Sequence, residues 1–213
     1  EDKVHGYEAI VDGYDITNVH TPKTVDVEGT KTWNDTKNQD GIRPTSIEVN
    51  LLADGEVIKT VKVTAENNWT YEFKDLPQFK DGGNEIVYKV EEAKLPDGYK
   101  ATVDGYDITN THTPETVDVE GAKTWEDNND QDGVRPESIT INLLADGEVI
   151  KTVEVTEADG WAWEFNDLPK YKDQGTKIVY EITEEAVDGY TTTYDGYNTS
   201  HCPEFNRLRK HFS

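Results

Sequence analysis

The sequence predicts an all-β protein made of tandem β-sandwich modules, and two patterns support this fold class. Apolar and polar residues alternate along short segments, with the two-residue period of a half-buried strand. A long segment also occurs twice in nearly the same form, with Gly and Pro turn signals between its alternating stretches. Many short antiparallel strands at this spacing are typical of a β-sandwich, and no amphipathic helix of useful length is predicted.

The repeat divides the chain into four parts. Ser46–Thr64 returns almost unchanged as Ser138–Thr156, an offset of 92 residues, and the same offset relates Asp12–Asn18 to Asp104–Asn110. The predicted parts are the last strand of a preceding repeat (1–22), a first complete repeat (23–114), a second repeat with an atypical end (115–200) and a non-native-looking tail (201–213).

Within the first repeat, the alternation predicts strands at Ile47–Leu51 and Val57–Val63. Asp54 and Gly55 lie between them and form a two-residue turn signal that favours positive φ, so the two strands should pair as a hairpin. Further strands are predicted at Trp69–Phe73, Ile86–Glu92 and Asp107–Thr113.

The composition excludes several classes of partner and of covalent support. Acidic residues outnumber basic ones 44 to 21, and a net charge of −23 repels nucleic acid and anionic membrane surfaces. No apolar run is long enough to cross a bilayer. From the charge and from this lack of an apolar run, we expect neither nucleic acid nor a membrane as a partner. Cys202 is the one cysteine, so no disulfide can form within the chain, and any covalent staple must use other chemistry.

Three polar residues fall on apolar faces of predicted strands. Alternate residues of a strand share a face, and by this parity Lys31, Glu92 and Asn110 each lie in line with apolar neighbours. Parity alone leaves two interpretations open. Either the three side chains converge in the interior, or they are an exposed edge lysine, a solvated acid and a turn-forming asparagine, since Lys and Glu are mostly exposed.

Six segments of the repeat resemble the B-type repeat of the collagen-adhesin family of Gram-positive surface proteins. They are GTKTW, NQDGIRP, LLADGE, W-x-Y-x-F-x-D-L-P, Y-x-V-x-E and DITN-x-H-T-P, and the resemblance extends over nearly all of residues 1–197. The resemblance implies sandwiches of inverse immunoglobulin-like (prealbumin-like) topology, which act as stalks for a ligand-binding head. It also implies a Lys–Asn isopeptide bond catalysed by an acidic residue, which would here join Lys31 to Asn110 with Glu92 as the acid.

These residue types suit that reaction. A desolvated lysine has a depressed pKa and can be a neutral nucleophile, whereas a desolvated glutamic acid stays protonated. A neutral Lys31 can attack the Asn110 carboxamide, while Glu92 donates to the amide oxygen and passes protons toward the departing ammonia. The reaction happens once per molecule, so we expect no enzymatic turnover, no cofactor and no metal.

The second repeat keeps the first two members of this set but departs from the pattern near its end. Lys123 and Glu184 are the counterparts of the lysine and the acid. After a one-residue deletion the offset falls to 91, so His201 takes the position of Asn110. Asn198 lies an odd number of residues from that position and would face away. We therefore expect no cross-link within the second repeat.

The two ends of the chain lead to further expectations. Asn18 lies on a last strand without its own repeat, which makes it an orphan acceptor. Residues 7–20 of one molecule could complete the open second repeat of another and form a Lys123–Asn18 bond between molecules. The tail Cys202–Ser213 is basic, unlike anything upstream, and is typical of a frameshifted or vector-derived ending.

Three other interpretations compete with a structural stalk. The acidic loops Asn34–Gly41 and Glu126–Gly133 suggest calcium, but an isoleucine stands where a helix-flanked calcium loop needs its bidentate Glu. The alternative function is a host-ligand-binding module that uses Trp161 and Trp163, although alternation puts both on one face, where core packing is the simpler account. An enzyme of unknown type is the third, and no second set of converging groups supports it.

The resemblance also implies a location and partners. We expect an extracellular protein on the cell surface, anchored to the cell wall in its full-length form. The expected partners are neighbouring repeats of the same surface protein and, through a head domain absent from this chain, a host extracellular-matrix protein.

Overall fold

The computed structural model describes residues 1–203, which form twenty β-strands and three short 3-10 turns. The chain forms two compact units, one of residues 1–37 with 42–113 and the other of residues 38–41 with 114 onward. Each unit contains one of the two repeats. None of the helices described in residues 1–203 is long and apolar enough to cross a membrane.

A hairpin precedes the first repeat. It consists of β1 (Glu8–Asp12) and β2 (Asp15–Val19), which pair antiparallel with Glu8 opposite Val19, and every residue of both strands is exposed. The sequence predicts one last strand in this region, and the structure has the last two strands of a repeat.

The first repeat is built from two sheets. Its strands are β3 (Thr24–Asn34), β4 (Ser46–Ala53), β5 (Glu56–Thr64), β6 (Thr70–Pro77), β7 (Phe79–Lys80), β8 (Asn84–Glu85), β9 (Tyr88–Glu92), β10 (Lys100–Asp104) and β11 (Asp107–Thr111). One sheet has the order β10-β11-β3-β6 and the other β5-β4-β9, with β7 and β8 as a small separate ribbon. The predicted hairpin is confirmed as β4 and β5, with φ of 50° at Asp54 and 92° at Gly55 in its turn.

The second repeat has the same architecture. Its strands are β12 (Thr116–Trp125), β13 (Ser138–Ala145), β14 (Glu148–Thr156), β15 (Ala162–Pro169), β16 (Tyr171–Lys172), β17 (Thr176–Lys177), β18 (Tyr180–Glu184), β19 (Tyr190–Asp195) and β20 (Asn198–Pro203). The sheets have the orders β15-β12-β20-β19 and β14-β13-β18. Residues 201–203, predicted as part of a tail, instead belong to β20, and residues 204–213 lie outside the described part of the chain.

The last strand of each repeat pairs parallel with the first. In the first repeat β11 runs beside β3, with Ile108 opposite Lys31 and Asn110 opposite Trp33. In the second, β20 runs beside β12, with His201 opposite Trp125. This is the expected prealbumin-like arrangement, and the prediction of tandem all-β sandwiches is confirmed.

A glycine in the first strand lets the last strand approach. A Cβ at Gly29 would collide with the carbonyl oxygen of Tyr106, and one at Gly121 would collide with that of Tyr197. Only glycine fits such a close backbone approach. The glycine of the GTKTW and GAKTW segments therefore lets the first and last strands of each repeat pair, and in the first repeat these strands carry the predicted lysine and asparagine.

Each repeat has its own hydrophobic core between its two sheets. Val49, Leu51 and Ile108 are fully buried in the first repeat, and Ile141 and Leu143 in the second. The same interiors also contain buried polar side chains, Lys31 and Asn110 in the first repeat and Lys123, Glu184 and His201 in the second. Buried polar groups are expensive unless they are paired, so these residues require an explanation.

Candidate cross-linking site

The structure brings together the three polar residues predicted for the first repeat, which we call the Lys31 cluster. Lys31 comes from β3, Glu92 from the end of β9 and Asn110 from β11. The parallel pairing of β3 and β11 places the lysine and the asparagine on the same inward face. Glu92 reaches them from the opposite sheet, so the cluster spans the sandwich.

Glu92 lies between the other two side chains. Its Oε2 is 3.6 Å from the Lys31 Nζ, and its Oε1 accepts a hydrogen bond of 3.2 Å from the Asn110 Nδ2. The side chains of Lys31 and Glu92 are 0% and 3% exposed. One carboxyl group therefore contacts both the amine and the carboxamide in a pocket from which water is excluded.

Aromatic rings enclose the amine of Lys31. Its Nζ lies 4.4 Å from the centre of the Trp33 ring, and Trp69 and Tyr99 pack edge-on against Trp33 at 5.2 and 5.1 Å. Burial lowers the pKa of Lys31 to about 8, although the carboxylates of Glu92 and Asp35 favour the charged form. At neutral pH, roughly one lysine in ten is then a free amine, compared with fewer than one in a thousand in water.

Three buried polar atoms of the Lys31 cluster make no hydrogen bond within the described chain. They are the Nζ of Lys31, the Oε2 of Glu92 and the Oδ1 of Asn110. The first two form an ion pair at 3.6 Å, which leaves the Asn110 Oδ1 as a buried acceptor without a hydrogen bond, at a cost of about 1–3 kcal/mol. The unreacted cluster therefore holds a desolvated amine and carboxyl group next to a carboxamide whose oxygen accepts no hydrogen bond.

The corresponding residues of the second repeat also meet, and we call them the Lys123 cluster. Lys123 of β12 donates a hydrogen bond of 2.9 Å to the Oε2 of Glu184, and the other oxygen of Glu184 lies 3.1 Å from the Nε2 of His201. All three side chains are 0% exposed. The Thr192 Oγ1 lies 2.7 Å from the same His201 nitrogen.

The two ionisable partners in the Lys123 cluster respond differently to burial. Burial lowers the pKa of Lys123 below its usual value, despite the nearby Glu184. Burial would raise the pKa of Glu184, but hydrogen bonds from His201 and Lys123 outweigh it and hold the pKa below the usual range. Glu184 therefore accepts a hydrogen bond from Lys123 through one oxygen and lies against the His201 imidazole through the other.

A second buried polar network lies beside each cluster and was missed by the sequence analysis. In the first repeat Asp35 is 2% exposed, and it accepts hydrogen bonds of 2.8 Å from the Arg43 Nε and 2.8 Å from the Tyr99 hydroxyl. The second repeat contains the same network, formed by Asp127, Arg135 and Tyr190. In the sequence, this network could have been suspected from the arginine that follows each aspartate by eight residues, near the end of the NQDGIRP segment and of its counterpart.

This network also bears on the calcium interpretation of the two acidic loops. Two of the buried aspartates of the loops, Asp35 and Asp127, are paired with arginine. Within residues 1–203, no three His, Cys, Asp or Glu side chains come together in a way that could hold a metal ion. The arginine side chain supplies the positive charge that a cation would have supplied.

The two tryptophans considered as ligand contacts are core residues. Trp161 is 8% exposed and Trp163 is 5% exposed, and both pack in the core of the second repeat. These two side chains therefore do not form the exposed aromatic patch that a host-ligand-binding module would need at this position.

The orphan acceptor Asn18 is exposed on β2, where its Nδ2 donates a hydrogen bond of 2.9 Å to the Glu1 carboxylate. The expectation that the second repeat is open is wrong, because β20 occupies the place of its last strand. A hairpin from another molecule must therefore displace β19 and β20 before Asn18 can reach Lys123. The bond itself stays a prediction.

We expect any Lys123–Asn18 bond to appear as multimers of concentrated protein on a denaturing gel. The ladder should survive reductant, since the bond is an amide, and should disappear in Lys123→Ala and in Asn18→Ala. A single monomer band at every protein concentration would contradict the linkage.

Comparisons with known proteins agree with this architecture. The family model of the Cna protein B-type domain matches residues 27–111 and 119–201. The collagen adhesin of Staphylococcus aureus is 45% identical over 202 residues, which are 92% of this chain and 17% of that protein. The crystal structure of two B repeat units of the S. aureus collagen binding protein has a TM-score of 0.76 at 42% identity, covering 94% of this chain and 55% of that one. Two copies of the same domain thus account for most of the sequence, and this chain belongs to the Cna protein B-type domain family.

Proposed function

We propose that this chain is a structural stalk segment of a bacterial surface adhesin, whose first repeat is locked by an isopeptide bond between Lys31 and Asn110. One observation carries the proposal. A single buried carboxyl group, that of Glu92, contacts both the lysine amine and the asparagine carboxamide. A buried amine, an amide and an acid in contact are the complete set of groups that amide exchange needs.

The reaction begins when Lys31 passes its proton to the Glu92 carboxylate, whose Oε2 lies 3.6 Å from the Nζ. Burial favours the neutral amine, which attacks the Cγ of Asn110 to form a tetrahedral intermediate. In the described orientation the amide nitrogen faces Glu92, which suits delivery of a proton to the departing ammonia. Donation from Glu92 to the amide oxygen requires the carboxamide to turn over, which exchanges Oδ1 and Nδ2.

The products are more compatible with the site than the reactants are. The reaction replaces a buried amine and a primary amide by one secondary amide, and ammonia leaves the protein. It removes the buried positive charge and expels the Asn110 Nδ2, while the Lys31 Nζ and the Asn110 Oδ1 remain as the N–H and the carbonyl oxygen of a neutral amide. Loss of a desolvated charge favours bond formation once the strands have assembled.

The position of the bond suits a protein under tension. Lys31 lies in the first strand of the repeat and Asn110 in the last, and 79 positions separate them. Force applied at the two ends passes from β3 through the bond to β11 and bypasses the intervening chain. A stalk module with this bond keeps its length while it is pulled.

The family membership supports the wider role. The S. aureus relative is a collagen adhesin, and this chain matches 17% of its length. In the full-length protein, we place these repeats outside the cell and anchored to the cell wall, with neighbouring repeats as partners. They would project a head domain, outside this chain, that binds a host extracellular-matrix protein.

Intact mass spectrometry tests the proposal. We expect the wild-type mass to be lower than the sequence mass by one molecule of ammonia, with a branched peptide that joins Lys31 to Asn110 after digestion. Lys31→Ala should show the full sequence mass. Glu92→Ala should fold with its strands assembled but keep the ammonia, because it lacks the acid.

An unshifted mass for the folded wild-type protein would refute the bond. If the bond formed at the normal rate in Glu92→Ala, the bond would be confirmed, but Glu92 would not be its catalyst. The first outcome therefore tests whether the bond exists, and the second tests whether Glu92 catalyses its formation.

A further inference from the structure

The Lys123 cluster contains two of the three groups that the Lys31 cluster needs. Lys123 and Glu184 are in direct contact at 2.9 Å, and the side chains of both are 0% exposed. The Trp125 ring lies 5.1 Å from the Lys123 Nζ, as the Trp33 ring lies near Lys31. A buried amine and its carboxyl partner are thus present without a carboxamide.

His201 stands where the carboxamide would be. It lies opposite Trp125 in the β12–β20 ladder, as Asn110 lies opposite Trp33 in the β3–β11 ladder. It is 0% exposed, and its Nε2 lies 3.1 Å from Glu184 Oε1. Imidazole has no carbonyl carbon that an amine can attack, so this repeat holds a nucleophile without an electrophile.

We propose that Lys123 and Glu184 form an unreacted amide-forming site, which will react with a side-chain carboxamide placed at position 201 of β20. The inference rests on the proposed function of the Lys31 cluster, because it assigns the same chemistry to the second repeat. The substrate class is a primary carboxamide carried on a strand that pairs parallel with β12. In the native sequence no carboxamide of the second repeat itself stands at this position, and the repeat is held by noncovalent contacts.

The step is balanced within the protein. The Lys123 Nζ forms a bond to the carboxamide carbon, and the bond from that carbon to its amide nitrogen breaks. A proton from the lysine amine passes through Glu184 to the leaving nitrogen, which departs as ammonia. No oxidant or cofactor takes part.

Two neighbouring positions differ between the two clusters. Thr199 lies opposite Lys123 where Ile108 lies opposite Lys31, and both are buried. Thr192 lies opposite His201 and contacts its imidazole, whereas Ala101 lies opposite Asn110. A carboxamide at position 201 could hydrogen bond to the Thr192 hydroxyl and be held away from Lys123. Thr192→Ala removes this hydroxyl and places the alanine of the first repeat at this position.

The test is the mass of the full chain carrying His201→Asn, alone and with Thr192→Ala. We expect the loss of a second molecule of ammonia beyond that of the wild type, and a branched peptide that joins Lys123 to position 201. His201→Ala, which supplies no carboxamide, should show no second loss. Adding Lys123→Ala to His201→Asn should also abolish it.

The outcomes separate this inference from the proposed function. No second loss in either His201→Asn variant overturns the inference, even where the wild type shows its one loss. A wild type without any loss, together with a Lys123 link in His201→Asn, refutes the bond of the first repeat and upholds the site of the second. A wild type that already carries a branched peptide joining Lys123 to another residue of its own second repeat also overturns the inference, because the site has then reacted without a carboxamide at position 201.

Discussion

Single molecules stretched between their two ends are expected to show one long extension event, which comes from the second repeat. With the proposed link between its first and last strands, the first repeat cannot lengthen between Lys31 and Asn110. The second repeat holds the same two positions by the noncovalent Lys123 cluster. Because β12 and β20 are parallel neighbours, tension shears their ladder, and the repeat unravels once the ladder breaks.

The length of the event identifies its source. Lys123 and His201 are 78 positions apart. At ~3.3–3.6 Å per extended residue, the chain between them lengthens by roughly 260–280 Å, less the folded distance between these positions. Lys31→Ala should add a second event of similar size from the first repeat, and His201→Asn should remove the event of the second. Two long events in the wild type would contradict the expected difference between the repeats.

The strands found from the sequence are those with a buried face. The hairpin of β4 and β5 followed from alternation and from the Asp54-Gly55 turn, and both were confirmed. The edge strand Lys100–Asp104 was missed, because all five of its residues are exposed and no apolar period marks it. Edge strands of this kind are held by one ladder and by their hairpin turn, neither of which leaves a hydrophobic pattern.

The end of the second repeat was misjudged for a related reason. The inward residues of β20 include Thr199 and His201, which are 2% and 0% exposed although both are polar. A strand whose buried face is polar cannot be recognised from apolar alternation. The pairing of Thr199 with Lys123 and of His201 with Trp125 closes the repeat nonetheless.

The members of the Lys31 cluster could be chosen by parity and family resemblance, but their contacts could not. Parity places Lys31 and Asn110 on inward faces, and it says nothing about which part of Glu92 faces which partner. The Asp35–Arg43–Tyr99 network was also missed, because only the repeated spacing of aspartate and arginine marks it and Tyr99 lies 64 residues from Asp35. Periodicity describes strands, whereas such networks depend on how loops fold over their ends.

Removal of the acid from the first repeat is expected to produce the largest loss of stability in this chain. Glu92→Gln keeps the shape of the side chain but cannot act as the acid, so the Lys31–Asn110 bond should not form. By analogy with disulfides, closing a loop of this length removes about 4–5 kcal/mol of denatured-state entropy, and we expect the free energy of unfolding of the first repeat to fall by that amount. Such a loss is comparable with the whole stability of a small domain.

Hydrogen exchange measured by mass spectrometry resolves the two repeats and provides the test. Glu91→Gln is the matched control, because Glu91 is the exposed neighbour of Glu92 and its substitution should change the stability by less than ~0.5 kcal/mol. We expect the exchange of the first repeat to become as fast as that of the second in Glu92→Gln, while the second repeat is unchanged in both variants. The bond must be present in the wild type and absent from Glu92→Gln for this comparison. If the first repeat were then equally protected from exchange in both proteins, the cross-link would not stabilise the fold.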